Sequence, residues 1–100
     1  MSRDAATPGA TFRFQLFVAG NEAKSVLARE NLRRLCEEHL PGRHEITVID
    51  VLADYRKALE ANVLLTPAVR LIEPAPAVTL FGTLADRERV LDALRLGVTP

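Results

Sequence analysis

The sequence predicts a single-domain α/β protein with a mixed four-stranded sheet and the element order βαβαββα. In the first half of the chain, strand-like and helix-like segments alternate, which is typical of a right-handed parallel unit. In the second half, two strand-like segments flank a proline-containing connection, which predicts an antiparallel hairpin. A length of 100 residues with 48% apolar side chains suits one globular domain.

The first strand and the first helix are predicted by their hydrophobic periodicity. Residues Phe12–Val18 (FRFQLFV) alternate apolar and polar side chains, and Phe17 on the second face indicates an inner strand. In the helix, residues at three- and four-residue spacing form one buried face, and we expect Asn21 or Ser25 to cap its start. The Pro-Gly pair that follows should end it. The residues of the buried face are Ala28, Leu32, Leu35, Cys36 and His39.

The second strand is predicted by β-branched side chains and the second helix by a weaker periodic pattern. Residues 45–51 (EITVIDV) are strongly strand-like. Residues 55–63 have a helical pattern, with Tyr55, Leu59 and Val63 as the expected inner positions. Asp54 is the predicted cap of this helix.

The hairpin and the last helix follow from local sequence signals. Residues Ala68–Glu73 (AVRLIE) and residues 77–81 (AVTLF) predict its two strands. Thr83 is the predicted N-cap of the last helix, with Asp86 three residues on as in a weak capping box. Gly97 is the predicted C-terminal cap.

This order of elements is the layout of the thioredoxin fold. In that fold a cis-proline precedes the third strand, and Thr66-Pro67 stands at this place here. A cis bond occurs at only about 5–6% of X-Pro pairs, so the analogy of fold, and not the local sequence, makes this pair a candidate. We assign residues 11–98 to the domain and residues 1–10 (MSRDAATPGA) to a flexible N-terminal arm.

Composition and charge argue against several classes of function. The 13 basic residues balance the 13 acidic ones, whereas nucleic-acid binders carry a basic excess. The single cysteine, Cys36, rules out a Cys-x-x-Cys pair, and two histidines, His39 and His44, are too few for most metal sites. The chain has no apolar run of about 18 residues, as a membrane helix needs. Residues 1–10 have no apolar stretch, so we expect that they are not a signal peptide. We therefore expect a cytoplasmic protein without a cofactor.

The segment that carries the nucleophilic thiol in a thioredoxin-type enzyme has no cysteine in this chain. It reads AGNEAKS (residues 19–25), and no histidine lies near Ser25 in the sequence to activate it. Cys36 lies on the apolar side of the predicted helix, which favours an inert core residue over a redox sensor. Asp50 and Asp54 could form an acid–base pair, but closing the strand and capping the helix are the favoured roles. A thioredoxin-like scaffold without its thiols is usually a recognition surface, so we expect a non-enzymatic protein.

Five short motifs stand in order along the chain, without an obvious gap from about Phe14 to Leu94. They are Val18-Ala19-Gly20-Asn21, Val48-Ile49-Asp50-Val51-Leu52, Thr66-Pro67, Pro74-Ala75-Pro76, and Arg87-Glu88 with Val90-Leu91. Each motif is weak alone, but together and at this spacing they resemble the KaiB family of small bacterial circadian-clock proteins. The sensor domain of the clock histidine kinase SasA is a more distant relative, whose first loop does not usually read Val-Ala-Gly-Asn.

The resemblance implies a protein that docks on the KaiC ATPase and regulates its phosphorylation cycle, with KaiA and a SasA-like histidine kinase as further partners. It also implies two folds, a tetrameric ground state and a thioredoxin-like monomer. The ground state needs helix where Ala68–Glu73 reads as strand, and Val69 and Ile72 weaken a helix there. We therefore expect the thioredoxin-like state. The alternatives are a diverged KaiB-like stress or signalling adaptor and, less favoured, a thioredoxin-fold redox protein.

The resemblance also places two candidate sites. The candidate partner surface consists of Gly20, Asn21, Leu27 and Asn62, where family members tend to carry basic residues at the positions of Leu27 and Asn62. These two departures fall on surface that a KaiC contact would use. The candidate fold-switch junction, where the family commonly reads Gly-Asp-Leu-Ser, is Gly82-Thr83-Leu84-Ala85.

Overall fold

A computed structural model describes residues 11–63 and 65–96 of the chain. The sheet has the strand order β2-β1-β3-β4, with β1 parallel to β2 and antiparallel to β3, and β3 antiparallel to β4. The mixed sheet confirms the predicted α/β class and element order. The elements are β1 (Phe12–Val18), α1 (Ala23–His39), β2 (His44–Asp50), α2 (Tyr55–Glu60), β3 (Ala68–Glu73), β4 (Val78–Phe81) and α3 (Arg87–Ala93).

Helices cover both faces of the sheet, and each face has its own apolar cluster. On one face, α1 and α3 pack against Phe14, Leu16 and Val18 of β1 and against β3. On the other face, the short α2 covers a smaller cluster around Phe17. Phe17 is fully buried, which confirms the prediction that β1 is an inner strand. The side chains that α1 buries are Ser25, Ala28, Leu32, Leu35 and Cys36.

Helix α1 begins without the predicted side-chain cap. Its N-cap residue is Glu22, whose side chain makes no capping hydrogen bond. Ser25 lies inside the helix, where its hydroxyl accepts the backbone N–H of Ala19 at 3.0 Å. The prediction that Asn21 or Ser25 caps α1 is therefore wrong, because the Ser25 oxygen serves the preceding loop instead. The C-terminal end is as predicted, since Leu40 caps the helix just before the Pro-Gly pair.

Helix α2 buries a different side from the predicted one. Tyr55 and Leu59 are 64% and 63% exposed, whereas Ala58 is buried against the cluster around Phe17. The helix ends at Glu60 and Asn62 has a left-handed φ of 60°, so the periodic pattern does not continue to Val63 as one helix. Asp54 stands at the N-cap position, but its side chain makes no capping bond. The structure therefore confirms Asp54 as the N-cap residue but gives it no side-chain capping bond.

Helix α3 begins later than the sequence indicates. Its N-cap is Asp86, whose carboxylate accepts the backbone N–H of Arg89 at 3.3 Å. The prediction of Thr83 as N-cap is wrong, because the chain first turns through Leu84, which is buried with a left-handed φ of 65°. The helix ends at Ala93 with Leu94 as its C-cap. The predicted cap Gly97 and the predicted arm, residues 1–10, lie outside the described residues.

Candidate partner-binding surface

Four loops lie together at one end of the sheet. Strands β1 and β2 end there, since Val18 pairs with Asp50. Strand β3 begins there and β4 ends there, since Ala68 pairs with both Phe17 and Phe81. We call this edge, with residues 19–22, 51–54, 65–67 and 82–86, the loop end. The carboxyl ends of parallel strands are a frequent place for binding sites in α/β proteins.

The Asp50 carboxylate joins the first two of these loops. Its Oδ1 atom accepts the backbone N–H of Gly20 at 3.0 Å and that of Leu52 at 3.0 Å. Gly20 has a left-handed φ of 54°, and a Cβ added to it would lie 3.4 Å from the Leu52 side chain. Asp50 is therefore a positioning residue that closes the strand, and the packing of Leu52 on Gly20 depends on it.

The proline loop and the loop after β4 are also joined. The Thr66–Pro67 peptide bond is cis, and Pro67 is buried at the start of β3. The Pro67 carbonyl accepts the backbone N–H of Gly82 at 2.8 Å. This bond connects the candidate cis-proline to the first residue of the candidate fold-switch junction.

The candidate fold-switch junction, residues 82–85, contacts α1 as well. The Asn31 side chain of α1 donates a hydrogen bond to the Thr83 carbonyl at 2.8 Å. Beyond the junction, the Arg87 guanidinium pairs with the Glu38 carboxylate and lies 3.3 Å from Nε2 of His39. Helix α1 thus holds both the junction and the start of α3.

The structure adds exposed apolar side chains to the candidate surface. Leu52 and Leu65 are 74% and 67% exposed, and Phe81 is 51% exposed at the end of β4. Leu27 of α1 is half-exposed, and Asn62 is exposed in the connection from α2 to β3. We call the set Leu52, Tyr55, Leu65 and Phe81 the apolar rim. For Leu52, Leu65 and Phe81 the signal in the sequence is a large apolar residue at a turn or at the last position of a strand. Tyr55 belongs instead to the helical pattern of α2, whose predicted inner position is exposed.

Comparison with known proteins identifies the family. A model of the KaiB domain matches residues 15–96 of the chain. The chain belongs to the KaiB family. It is 40% identical over 90 residues to the circadian clock oscillator protein KaiB of Synechococcus sp. (strain CC9311), covering 90% of this chain and 76% of that protein. It is 41% identical over 86 residues to the protein of the same name from Nostoc sp. (strain PCC 7120), covering 86% and 80%.

Solved structures with the same fold are thioredoxin-like, as predicted for this KaiB-family chain. The N-terminal domain of Synechococcus elongatus SasA superposes with a TM-score of 0.72 at 18% identity, covering 100% of this chain and 98% of that one. Chloroplastic thioredoxin z superposes with a TM-score of 0.69 at 20% identity, covering 86% and 78%. At these identities the likeness shows the fold alone.

The KaiB-family chain keeps its one thiol far from the position used by thioredoxins. Cys36 lies in the core, where burial, together with the Glu37 charge, raises its pKa to about 12. The first turn of α1 holds the buried Ser25 instead, whose hydroxyl is engaged by the Ala19 N–H. Among the residues that the structure describes, no group of three or more His, Cys, Asp and Glu could hold a metal ion. In the same part of the chain, every helix is too short or too polar to cross a membrane.

Proposed function

We propose that this KaiB-family protein is a non-enzymatic clock or signalling protein that docks on a KaiC-type ATPase and regulates its phosphorylation cycle. The observation that supports docking most directly is the apolar rim on the loop end of a thioredoxin-like scaffold. Relatives named circadian clock oscillator proteins support the clock pathway. The proposal includes KaiA and a SasA-like kinase as further partners and a cytoplasmic location.

The apolar rim has the properties of an interface core. Aromatic and large aliphatic side chains at the centre of an interface supply most of the binding free energy, and Tyr55 and Phe81 are of this kind. The hydrogen bonds that the Gly20 N–H donates to Asp50 and the Gly82 N–H donates to Pro67 fix the loops of this end. Because the loops are already ordered, less conformational entropy is lost on docking.

The non-enzymatic part of the proposal is supported by the burial and low reactivity of the Cys36 thiol and the Ser25 hydroxyl. A thiol with a pKa of about 12 is almost entirely protonated at neutral pH, so Cys36 is a poor nucleophile as well as a buried one. The Ser25 hydroxyl is buried and accepts a backbone N–H, and no histidine contact accompanies it among the described residues. Disulfide reduction that survives in the Cys36→Ser variant would contradict this part.

We further propose that the junction 82–85 controls a change between the two family folds, with the described state acting as a monomer. Leu84 is held at a left-handed φ of 65°, which costs about 1–2 kcal/mol for a residue with a side chain. The contacts of Asn31 with Thr83 and of Glu38 with Arg87 compensate for this cost in the thioredoxin-like state. An NMR assignment with helix at Ala68–Glu73 in solution would contradict a dominant thioredoxin-like state.

A diverged KaiB-like stress or signalling adaptor is the second candidate. Leu27 and Asn62 favour it, because both replace basic residues that clock members tend to carry on the docking surface. Such an adaptor would have no role in a clock and would not bind a KaiC-type ATPase. The two candidates therefore differ in whether the loop end binds KaiC.

The test is a titration of the fluorescently labelled chain with the N-terminal ring of a KaiC-type ATPase. We expect saturable binding, and a Leu52→Asp/Leu65→Asp double variant should weaken it about tenfold or more, since both charges would enter an apolar contact. Ala75→Asp, exposed in the connection between β3 and β4 at the opposite end, is the matched control. Absence of binding at high micromolar concentration, or equal binding of the double variant, would refute the proposal.

A further inference from the structure

We propose a second binding site, which adjoins the loop end and shares Phe81 and residues 83–86 with that surface. The groove between β4 and α3 binds an extended, acidic peptide segment of a partner protein by β-strand addition. In this mode a peptide pairs with the edge of a sheet through backbone hydrogen bonds, and neighbouring pockets select its side chains. Strand β4 forms one edge of the sheet, at the opposite side from β2. The inference does not depend on KaiC docking.

The backbone of β4 offers the hydrogen-bonding groups that an added strand needs. The Gly82 N–H points to β3, where it bonds to the Pro67 carbonyl, and Leu80 pairs with Val69. Since alternate residues of an antiparallel edge strand point their N–H and C=O groups in opposite directions, those of Thr79 and Phe81 point away from the sheet. The strand sequence VTLF has no charge and no proline, the features that usually protect an edge.

Beside this edge lies a groove with a volume of about 470 Å³. Leu80 lines it from the sheet, and Leu84 and Val90 line it from the loop and from α3. Ligand pockets commonly have volumes of about 300–1,000 Å³, so the groove has room for apolar side chains of an added strand. Leu84 therefore links the groove to the candidate fold-switch junction.

One lining side chain, that of Arg89, favours an acidic occupant. Arg89 lines the groove, and within residues 11–63 and 65–96 its guanidinium has no hydrogen bond or ion pair. Asp86, the other charged lining residue, already accepts the backbone N–H of Arg89. The neighbouring Arg87 is paired with Glu38. A carboxylate on the incoming segment would give the Arg89 guanidinium its partner.

A second copy of this chain fits the groove less well. The β4 strand of another molecule could form the backbone pairs, but its four residues carry no carboxylate for Arg89. Four residues also bury far less than the roughly 800 Å² per partner of a standard stable interface. The groove therefore matches an acidic segment of a different protein better than self-association.

The probes are two acetylated and amidated five-residue peptides, Thr-Val-Thr-Val-Asp and Asp-Val-Thr-Val-Thr, with matched Asn versions. The residue order is reversed between the two peptides so that the Asp can reach Arg89 whether the peptide pairs with β4 in the parallel or in the antiparallel direction. We expect at least one Asp peptide to shift the amide NMR signals of Thr79 and Phe81 and to slow their hydrogen exchange. It should bind about threefold more tightly than its Asn version, the effect of one exposed ion pair.

Arg89→Gln should remove this preference for Asp, whereas Arg56→Gln, an exposed control on α2 across the sheet, should keep it. Three results would overturn the inference. They are unchanged Thr79 and Phe81 signals at millimolar peptide, an Asp preference that persists in Arg89→Gln, and protection of both amides by protein concentration alone. The last would mean that a second copy occupies the edge. None of these results bears on KaiC binding, so the two proposals fail separately.

Discussion

The Asp50 carboxylate accepts the backbone N–H of Gly20 at 3.0 Å, and this bond ties the loop after β1 to the loop after β2. The same oxygen accepts the N–H of Leu52 at 3.0 Å. One side chain thus holds both a left-handed glycine and an exposed leucine of the apolar rim. The shape of the proposed docking surface depends on it.

Replacing Asp50 should therefore destabilise the fold and weaken docking together. Asp50→Ala should lower the free energy of unfolding by about 2 kcal/mol, because two backbone donors lose a charged acceptor. Urea denaturation measures this change. Asp54→Ala is the matched control, since its carboxylate has only a 3.9 Å ion pair with Lys57, so we expect less than about 0.5 kcal/mol. Equal losses in the two variants would contradict the role assigned to Asp50.

The cap of α3 distinguishes the residue indicated by sequence from the one found in the structure. Asp86→Ala should cost about 1 kcal/mol, because the Arg89 N–H loses its side-chain acceptor. Thr83→Ala should change stability by less than about 0.5 kcal/mol, since Asn31 bonds to the Thr83 backbone carbonyl and not to its side chain. Thermal unfolding of both variants measures these changes. A larger loss of stability in Thr83→Ala than in Asp86→Ala would show that Thr83 is the N-cap of α3.

The Cys36 thiol should be unreactive in the native protein. Because burial raises its pKa from 9.0 to about 12, iodoacetamide at pH 8 should label it only after unfolding in denaturant. Mass spectrometry of the labelled chain measures this difference. Rapid labelling without denaturant would show that the core around α1 opens readily.

The same pKa shift predicts a loss of stability in alkali. The unfolded thiol ionises above pH 9.0 and the folded one only near pH 12, so ionisation favours the unfolded state between these values. Cys36→Ala should show a smaller decline in stability than the natural chain over this window. Parallel declines of the two proteins in urea titrations would exclude the thiol as a source of the pH dependence.

The ion pair between α1 and α3 predicts a loss of stability in acid. The hydrogen bond from Arg87 lowers the pKa of Glu38 below its ordinary value of 4.5. A carboxyl whose pKa is lower in the folded state than in the unfolded state stabilises the fold at pH values above its pKa in the unfolded state. This contribution disappears as the pH falls through its pKa in the folded state. The natural chain should therefore lose its advantage over Glu38→Gln below about pH 4.5.

Melting temperatures measured from neutral to acidic pH test this expectation. Glu30→Gln, which removes an exposed acidic charge from the same helix, is the control. If its pH profile matches that of Glu38→Gln, the effect reflects net charge and not the contact with Arg87. Salt should reduce the difference, because the pair is exposed.

Local patterns were sufficient to predict the strand β3. The β-branched Val69 and Ile72 favoured strand over helix at Ala68–Glu73, and the structure has β3 there. The patterns were insufficient for α2, where Tyr55 and Leu59 share a helical spacing yet remain exposed. A six-residue helix makes a small contact, and the sheet beneath it, not its own periodicity, selects Ala58 as the buried residue.

The amino-acid sequence alone determined three features of this protein. They are the succession of strands and helices, the absence of a thiol in the first loop, and the five motifs of the family. These features depend on neighbours a few residues apart, which local patterns report. The apolar rim and the groove beside β4 were found only in the folded chain, because each joins residues far apart in sequence. Asp50 and Gly20 are 30 residues apart, and Arg87 and Glu38 are 49 apart. Such pairs meet only when packing of the sheet and helices brings them together.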